Sequence, residues 1–513
     1  TNFYENFGSV MSTLLSHHEY LRLKSQGFSH VPLIKKRLMD DATPVSVFAN
    51  IRQLNPKAYL FESVVGGERF ARYSMIGLGK GVYFEYQDGV MRVGSELVGT
   101  VSSTKTDQPF DEIRRFMGQF NIPTKDDVPN LPVFSGGLVG YFGYDLIRTI
   151  EPTVGHSDTP NPLNLPDLWL MLSTEVVIFD NLEHTLSIVV YANCDVENGY
   201  EDALGRLTNI ENILNQKPDL TTKAHPIPKF VSATGQQKFC DDVQKIKEYI
   251  LAGDVMQVVP AQRLSAKSEA DALSVYRALR YLNPSPYLFM LHGETFGTTK
   301  SPFDIIGASP EILSRIENGT VTVRPLAGTR RRGSDMDEDL ALEHELLNDQ
   351  KEIAEHLMLI DLGRNDIGRV CEIGSVKVTD QMFIERYSQV MHIASNVEGR
   401  IRQDVDALDV FCATFPAGTL SGAPKIRAMQ IIDEVEPVRR TVFGGAIGYL
   451  GWHGNMDTAI AIRTAVMKDG QIHVQAGAGV VADSDPLAEW DETNKKALAL
   501  VKAVEMACRG LEI

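Results

Sequence analysis

The alternation of apolar and polar positions predicts helices and short strands that follow one another along the chain. Between Phe239 and Ile250 the apolar residues recur every three or four positions, which predicts a helix that ends before Gly253. The next run, GDVMQVVPAQRLS, is short and apolar, as expected for a strand. TVTV at 320–323 and QIHVQ at 471–475 predict two more strands. The pattern therefore predicts a mixed fold of the α+β class.

The stretch QKPDLTTKAHPIPKFVSATG, at 216–235, is expected to be irregular. Its three prolines disfavour the interior of a helix or a sheet. We therefore predict two domains, residues 1–225 and residues 226–513.

A glycine-rich pattern occurs once on each side of this stretch. GGLVGYFGYD at 136–145 and GGAIGYLGW at 444–452 share the spacing Gly-Gly-x-x-Gly-Tyr. Glycine-rich strand edges can resemble one another by coincidence, but the shared spacing of glycine and tyrosine favours a duplicated β-rich unit.

Two predicted helical segments each carry two glutamates three positions apart. Glu352 and Glu355 lie in KEIAEHLMLIDLGRND, and Glu489 and Glu492 lie in AEWDETNKK. At 100° per residue, the members of such a pair lie about 60° apart on one face of a helix. Lys496 falls on the same stripe as the second pair.

The first of these helices also has a predicted apolar side, which comprises Ile353, Leu357 and Ile360. The carboxylates are then expected to lie off the core face. Four carboxylates in one pocket repel one another unless a cation lies between them. Oxygen ligands without clustered Cys or His favour Mg²⁺, so a magnesium site is predicted. The alternative is two solvated acidic helix faces, which a single pair at this spacing more often forms.

The balance of charge and the use of cysteine restrict the class of partner. Acidic residues outnumber basic residues by 67 to 50, which gives a net charge of −17. This argues against nucleic acid or an anionic membrane as a partner, so an anionic substrate needs a local basic or metal-lined pocket. The five cysteines form no CxxC pair, which predicts no disulfide framework or zinc site and a cytoplasmic location. No apolar run approaches the roughly 18 residues of a membrane-spanning helix.

Glycine-punctuated blocks accompany the acidic pairs. They are RPLAGTRRRG from Arg324, GTLSGAPKIRAM from Gly418, DTAIAIRTA from Asp457 and VQAGAGVVADSDP from Val474. Glycines let a backbone approach a ligand closely, and exposed N–H groups in such loops bind carboxylates. The chain has neither a Walker A sequence nor the spacing of a dinucleotide fingerprint, so nucleotide chemistry is not expected.

With these blocks, the sequence resembles the chorismate-utilising enzymes, and among them most closely the anthranilate synthase component I group. The resemblance extends from YLFESVVGGERFARYSMIG at 59–77, through GGLVGYFGYD, to the set between ASPEIL and DETNKK. It implies a large two-sheet β-sandwich core flanked by helices, in an intertwined two-part chorismate-binding fold. The first part would carry a tryptophan feedback motif, and the second part would be catalytic.

The resemblance also implies a reaction in which chorismate and ammonia give anthranilate and pyruvate with Mg²⁺. Glu355 and Glu492 would hold the metal, and Glu352 and Glu489 would assist. Four positions match groups that bind the enolpyruvyl carboxylate: Arg463, Gly477, Gly479 and Lys496. Three further positions match residues that contact the substrate: Gly328, Thr329 and Thr419. The alternative for Arg463 is an ordinary surface ion pair, which the apolar run around it disfavours.

Two further residues match the groups that transfer protons. Glu311, in ASPEIL, matches the general acid that protonates the departing C4 hydroxyl, so a raised pKa is expected there. His392, in VMHIAS, matches the base that removes the C2 proton during aromatisation. A lone histidine is more often structural, and here the motif favours the catalytic interpretation.

Three positions bear on which family member this is. Ala327 occupies the position of the nucleophilic lysine of aminodeoxychorismate synthases, and Gln257 that of the water-activating lysine of isochorismate and salicylate synthases. Both favour ammonia as the nucleophile. Phe443 replaces a tyrosine whose hydroxyl helps to bind the substrate, which predicts weaker chorismate binding. Alternatives are an enzyme that stops at 2-amino-2-deoxyisochorismate and a catalytically silent subunit that binds tryptophan.

A partner subunit and an inhibitor are also implied. No cysteine lies in the Gly-x-Cys-x-Gly context of a glutamine amidotransferase, so a separate amidotransferase subunit and a hetero-oligomer are expected. Glu62 and Ser63 resemble the family's tryptophan-sensing motif, with Pro286 and Tyr287 as the facing wall. The alternative is an inter-domain packing seam.

Overall fold

Helices and strands alternate along the chain, as the sequence pattern predicts. The computed structural model describes residues 14–39, 41–63, 72–95, 100–296, 300–387 and 390–512, so that 64–71 of the amino-terminal family motif lie outside the described residues. The described strands are β1 (His30–Leu38), β2 (Ala58–Glu62), β3 (Tyr73–Gln87), β4 (Val90–Ser95), β5 (Thr100–Lys105), β6 (Gly137–Phe142), β7 (Leu168–Asp180), β8 (Thr185–Asn193), β9 (Val231–Ser232), β10 (Gln257–Val258), β11 (Ala261–Lys267), β12 (Tyr287–Thr295), β13 (Ser301–Ser309), β14 (Ile312–Glu317), β15 (Thr320–Val323), β16 (Leu326–Arg331), β17 (Lys377–Arg386), β18 (Val390–Arg400), β19 (Gly422–Ala423), β20 (Ala446–Gly451), β21 (Met456–Ile460), β22 (Thr464–Lys468) and β23 (Gln471–Gly477).

The described helices lie between and after these strands. They are α1 (His17–Ser25), α2 (Pro44–Leu54), α3 (Pro109–Met117), α4 (Ile147–Ile150), α5 (Gly199–Leu214), α6 (Gln236–Leu251), α7 (Ala272–Leu282), α8 (Met336–Asn348), α9 (Gln350–Gly368), α10 (Ala407–Thr414), α11 (Gly418–Ser421), α12 (Lys425–Val435) and α13 (Pro486–Cys508), with 3₁₀ helices at Tyr144–Leu146 and Pro152–Val154. Within the described ranges, no helix is both long and apolar enough to cross a membrane.

The elements predicted from periodicity are present. The helix predicted between Phe239 and Ile250 is α6, and the strands predicted at 320–323 and 471–475 are β15 and β23. The apolar run after α6 forms two strands, β10 and β11, because Pro260 between them has no N–H to donate to a ladder. The proline-rich stretch contains no helix or strand before β9.

All described strand pairs are antiparallel, and 21 of the described strands join one network, while β10 pairs with β19 apart from it. The predicted α+β class is therefore confirmed. Strands from both sides of the proline-rich stretch pair with each other, as β2 does with β12. The two predicted parts thus share one sheet network, and the boundary at residue 225 stays a prediction.

The two copies of the repeated glycine motif form neighbouring strands. β6 pairs with β20, and Gly140 lies opposite Gly448. A Cβ atom on Gly140 would lie 2.1 Å from the carbonyl oxygen of Trp169, and one on Gly448 would lie 2.0 Å from that of Asp457. Both positions therefore require glycine, because a neighbouring strand approaches each one too closely for a side chain.

Helix α9 carries the first glutamate pair, and its buried side differs from the prediction. Leu357 was predicted on the apolar side, and this is wrong because its side chain is 43% exposed. The buried stripe instead includes His356, Leu359 and Ile360. His356 is accommodated in the core because its Nε2 lies 2.7 Å from the hydroxyl of Ser395 on β18.

Candidate active site

Glu311 lies between β13 and β14 and is held by a threonine hydroxyl. Its side chain is buried, and Oγ1 of Thr419, on α11, donates a hydrogen bond of 3.2 Å to its Oε1. Burial raises the pKa of Glu311 to about 8, although the Thr419 hydrogen bond and the charges of Arg463 and Lys496 act in the opposite direction. A carboxyl group with this pKa is mostly protonated at neutral pH, as a general acid must be.

His392, on β18, has one ring nitrogen fixed and the other unpaired. Its Nδ1 lies 2.9 Å from the carbonyl oxygen of Gly328 and 3.0 Å from the hydroxyl of Thr329. A carbonyl can only accept, so Nδ1 carries the proton. Among the described residues, the buried Nε2 has no hydrogen-bond partner. Burial lowers the pKa of His392 to about 4, so the ring is neutral and Nε2 can accept a proton.

Arg463 lies between β21 and β22, in a conformation that is uncommon for a residue with a side chain. Its φ is +48°. Burial lowers its pKa, which the nearby Tyr387 and Glu311 partly oppose. No carboxylate in the described part of the chain forms an ion pair with its guanidinium. A poorly solvated, unpaired guanidinium is a suitable partner for the carboxylate of a ligand.

The glycine-rich loop after β23 lies against the other candidate groups. Nζ of Lys496, on α13, donates a hydrogen bond of 3.0 Å to the carbonyl oxygen of Gly477. A Cβ atom on Gly479 would lie 2.7 Å from Nε2 of Gln257. The same nitrogen donates to Oε1 of Glu355 over 3.3 Å, so Gln257 connects the loop with α9.

The glutamates of α9 face the block that carries Gly328. Nη1 of Arg330 lies 3.4 Å from Oε1 of Glu352, and a Cβ atom on Gly328 would lie 3.2 Å from its Oε2. Burial raises the pKa of Glu352, and the negative charge of Glu355 raises it further. Glu352 is therefore next to Gly328, whose carbonyl oxygen contacts His392.

The glutamates of α13 approach the start of α9. Burial raises the pKa of Glu489, and the charge of Glu492 adds to this, whereas a Ser484 hydrogen bond and the charge of Lys351 lower it. Nζ of Lys496 lies 2.8 Å from Oε1 of Glu492. Because Lys351 belongs to α9, the amino-terminal parts of the two helices are close enough for their charges to interact.

The donor chemistry of these pairs fits a hard divalent cation. In each helix the charge of one glutamate raises the pKa of the other, a repulsion that a cation would relieve. Over the described residues, no three His, Cys, Asp or Glu side chains are grouped closely enough to hold a metal. Three of the four carboxylates instead contact protein side chains: Glu355 contacts Gln257, Glu352 contacts Arg330, and Glu492 contacts Lys496.

Comparisons with known proteins identify the family of the chain. The profile of the chorismate binding enzymes matches residues 79–502. The chain belongs to this family. Anthranilate synthase component 1 of Acinetobacter calcoaceticus is 56% identical over 493 residues, which cover 96% of this chain and 99% of that protein. The protein of the same name from Pseudomonas aeruginosa is 49% identical over 504 residues, which cover 97% of this chain and 100% of that protein.

A solved structure agrees with the sequence comparisons. The crystal structure of anthranilate synthase component I from Streptococcus pneumoniae TIGR4 superposes with a TM-score of 0.73 and 36% identity, over 85% of this chain and 94% of that chain. The resemblance inferred from the motifs to this group of chorismate-binding enzymes is therefore confirmed.

Phe443, where the family resemblance led us to expect tyrosine, lies in an apolar cluster and packs against a buried cation. It is 5% exposed, and its ring centre lies 5.6 Å from the guanidinium carbon of Arg440. Arg440 forms a buried ion pair with Glu436. The ring of Phe443 therefore contacts both this apolar cluster and Arg440. The next residue, Gly444, donates a backbone hydrogen bond to the carbonyl oxygen of Ala461, which connects this segment with that of Arg463.

A cavity of about 330 Å³ lies apart from the acid and the base, where β2 pairs with β12. All four residues of the predicted inhibitor site line it: Glu62, Ser63, Pro286 and Tyr287. The carboxylate of Glu62 already accepts a hydrogen bond of 2.9 Å from Nε of Arg280, on α7. The cavity lining therefore combines charged and polar side chains with aromatic and apolar ones.

Tyr387 is a residue near the site that the sequence reasoning missed. Its ring meets the ring of His392 edge to face, with 5.7 Å between the ring centres. Its hydroxyl donates to Oε2 of Glu385 over 2.8 Å, and Glu385 forms an ion pair of 2.7 Å with Arg324. Glu385 lies opposite His392 across β17 and β18. The two residues are only seven positions apart in the sequence, and the register of β17 against β18, which the sequence reasoning did not assign, places them opposite each other.

Proposed function

We propose that the chain is the large subunit of an anthranilate synthase, which converts chorismate and ammonia to anthranilate and pyruvate. The observation that carries the proposal is a protonated acid, Glu311, and a neutral base, His392, within the electrostatic influence of the same unpaired cation, Arg463. The similarity to full-length anthranilate synthase component 1 proteins supports the same reaction.

In the first step, ammonia adds at C2 of chorismate while the hydroxyl group leaves from C4. Glu311 donates its proton to that hydroxyl, which departs as water, and Thr419 keeps the carboxyl group oriented. The added ammonium group then loses a proton. The product of this step is 2-amino-2-deoxyisochorismate.

In the second step, Nε2 of His392 takes the C2 proton, and the bond between C3 and the ether oxygen breaks. The side chain leaves as the enolate of pyruvate, which takes up one proton at its methylene carbon to become pyruvate. Gly328 holds Nδ1 and so presents Nε2 as the base. The ring becomes aromatic in the same step, which supplies the driving force.

Four groups are proposed to bind the enolpyruvyl carboxylate: Arg463, Lys496 and the backbone of Gly477 and Gly479. Arg463 supplies a planar fork that matches a carboxylate. Lys496 adds a second positive charge. Its Nζ contacts both the carbonyl oxygen of Gly477 and Oε1 of Glu492, so it lies between the glycine-rich loop and the second glutamate pair. Gly328 and Thr329 would contact the ring from the side of His392.

Mg²⁺ is the proposed cofactor. Glu355 and Glu492 would hold it, with Glu352 and Glu489 assisting. When bound, the cation would neutralise the ring carboxylate of chorismate and orient it. Arg330 and Lys496, which contact two of these glutamates, would then have to share them with the metal.

We further propose that ammonia comes from a separate glutamine amidotransferase subunit, so the working enzyme is a cytoplasmic hetero-oligomer with no nucleic acid or membrane partner. None of the five cysteines has the sequence context of an amidotransferase nucleophile. The purified chain should therefore use ammonium salts but not glutamine. Glutamine-dependent product from the chain alone would contradict this assignment.

Tryptophan is the proposed feedback inhibitor, bound in the 330 Å³ cavity between β2 and β12. Glu62 and Ser63 would meet its polar end, and Pro286 and Tyr287 its indole. Because β2 belongs to the first predicted part and β12 to the second, a ligand there can influence how the two parts pack.

The deciding experiment measures anthranilate fluorescence from purified chain, chorismate, Mg²⁺ and ammonium at mildly alkaline pH. Signal that a chelator removes supports the reaction and the metal together. Chorismate consumption without fluorescence would instead indicate an enzyme that stops at 2-amino-2-deoxyisochorismate. No consumption would indicate a silent subunit, and the Glu311→Gln variant, which keeps the shape of the side chain but cannot donate the acid proton, sets the background.

A further inference from the structure

A second cavity, of about 250 Å³, is lined by β11, the hairpin of β22 and β23, and two loops that include Leu163 and Val438. Its lining residues include neither the residues assigned above to catalysis and metal binding nor those of the tryptophan cavity. Four of them are basic or hydroxyl side chains: Arg263, Ser265, Lys468 and His473. The cavity thus has a chemistry that the proposed reaction does not use.

Arg263 is the most deeply buried of these groups, with 3% of its surface exposed. Its Nη2 donates to the carbonyl oxygen of Arg439, but in the described part of the chain Nη1 has no hydrogen-bond partner. Burial lowers its pKa to about 10, and Glu436 and Asp145 oppose the shift from a distance. A buried cation with an unpaired donor is costly unless another group satisfies it.

The two carboxylates whose charges act on Arg263 already form ion pairs with other arginines. Glu436 forms a buried ion pair with Arg440, and Asp145 lies 3.7 Å from Nη2 of Arg148. No described carboxylate forms an ion pair with Arg263. The guanidinium therefore keeps a positive charge with no direct counter-ion.

Lys468 adds a second cation to the same cavity. Its side chain is 7% exposed, whereas that of Asp469, its ion-pair partner at 2.8 Å, is 69% exposed. Because the carboxylate of Asp469 is largely exposed, water and salt screen its attraction to Lys468, so an anion in the cavity can compete for Lys468. Oγ of Ser265 lies 2.8 Å from Nδ1 of His473, so a hydroxyl and an imidazole complete the polar wall.

We propose that this cavity binds a small anion through a carboxylate or phosphate group, with Arg263 and Lys468 as its charge partners. A planar guanidinium beside an ammonium group matches the oxygens of either anion. Leu163 and Val438 also line the cavity, so the ligand can carry a compact apolar part. Asp469 is the one carboxylate among the described lining residues, and it pairs with Lys468, so together with Arg263 the cavity carries a net positive charge in an acidic protein.

The test is isothermal titration of the full-length chain with inorganic phosphate and, separately, with benzoate at constant ionic strength. Lys468→Gln should weaken binding by about tenfold or more, the loss expected for one charge-assisted hydrogen bond. Lys377→Gln, which removes an exposed lysine of β17, should leave it unchanged. Arg263→Gln should abolish binding, and if that variant fails to fold, Lys468→Gln still decides.

Arg463→Gln separates this cavity from the candidate active site, because benzoate could also bind there. Binding that survives in Arg463→Gln and weakens in Lys468→Gln supports the proposal. Binding that responds only to Arg463→Gln, or the absence of saturable binding of both anions, overturns it. Tighter binding of phosphate would identify a phosphate group, and tighter binding of benzoate a carboxylate with an apolar part.

Discussion

The carbonyl oxygen of Gly328 lies 2.9 Å from Nδ1 of His392 and determines which ring nitrogen can act as a base. Because the carbonyl accepts the Nδ1 proton, the lone pair is on Nε2, which the fold leaves without a partner within the described residues. Gly328 has a φ of +63°, so its carbonyl is oriented by a backbone conformation that favours glycine.

Replacing the base should separate the two steps of the reaction. In His392→Asn, ammonia addition should continue, because Glu311 is untouched, while anthranilate formation should fall by about 10² to 10⁴, the usual contribution of a general base. Chorismate consumption and anthranilate fluorescence, measured together, should diverge. His344→Asn, an exposed histidine on α8, is the control. Equal loss of both signals would assign His392 to the first step or to the fold.

The raised pKa of Glu311 predicts how both activity and stability change with pH. The carboxyl group must be protonated to act, so kcat/KM for chorismate at a fixed concentration of free ammonia should fall as the pH rises above about 8. The native state binds this proton more tightly than the unfolded state, so stability falls as the pH rises from the unfolded pKa, near 4.5, to the folded pKa.

Glu311→Gln should therefore inactivate the enzyme and stabilise it at the same time. At pH 5 the variant and the parent should unfold at similar urea concentrations, and by pH 8 the variant should be more stable by as much as roughly 4 kcal/mol. An equal difference at the two pH values would show that Glu311 is not held neutral in the native state. Urea unfolding followed by fluorescence measures this directly.

The sequence predicted the parts of this site that depend on local periodicity. A spacing of three positions placed Glu352 beside Glu355 and Glu489 beside Glu492, because a helix repeats every 3.6 residues whatever it packs against. The same rule did not give the phase of the buried face of α9. There His356 replaces Leu357 in the core, because Ser395 on a distant strand satisfies its ring.

Long-range pairing explains what the sequence left out. Nothing local indicates that Gln257 lies between Gly479 and Glu355, which are distant from it in the sequence. Glu385 and His392 are only seven positions apart, but their contact depends on the register of β17 against β18, which periodicity alone does not give. The repeated glycine motif is an exception, since its two copies pair with each other as β6 and β20. Its glycines lie where a neighbouring strand leaves no room for a side chain, so glycine recurs at the same spacing and can be recognised in the sequence.

Arg463 should contribute mainly to substrate binding. Arg463→Lys keeps the charge but loses the fork, and the loss of one or two charge-assisted hydrogen bonds at about 1.5 to 3 kcal/mol should raise KM by about tenfold to a hundredfold. Steady-state kinetics with varied chorismate measures the change. Arg364→Lys, an exposed arginine of α9, should leave KM unaltered. A large fall in kcat at unchanged KM would contradict a binding role.

Phe443→Tyr tests whether the missing hydroxyl weakens the enzyme. If the hydroxyl reaches the substrate carboxylate, KM for chorismate should fall by about tenfold, the value of a hydrogen bond to a charged group. The buried ring packs against Arg440, so the new hydroxyl could instead remain beside that cation. An unaltered KM would place this side chain outside the substrate site, and Phe443→Leu controls for altered packing.

Ser63→Phe should remove inhibition by tryptophan and leave the reaction intact. Ser63 lines the 330 Å³ cavity with Pro286 and Tyr287, and a phenyl ring there would occupy space that an indole needs. The cavity contains neither Glu311 nor His392, so kcat should not change. The tryptophan concentration that halves anthranilate production should rise by about tenfold or more, which corresponds to about 1.4 kcal/mol of lost binding.

Ser63→Ala, which adds no bulk, should keep most of the inhibition. If Ser63→Phe were still inhibited as strongly as the parent, the cavity would be a packing seam between β2 and β12, and tryptophan would have to act elsewhere.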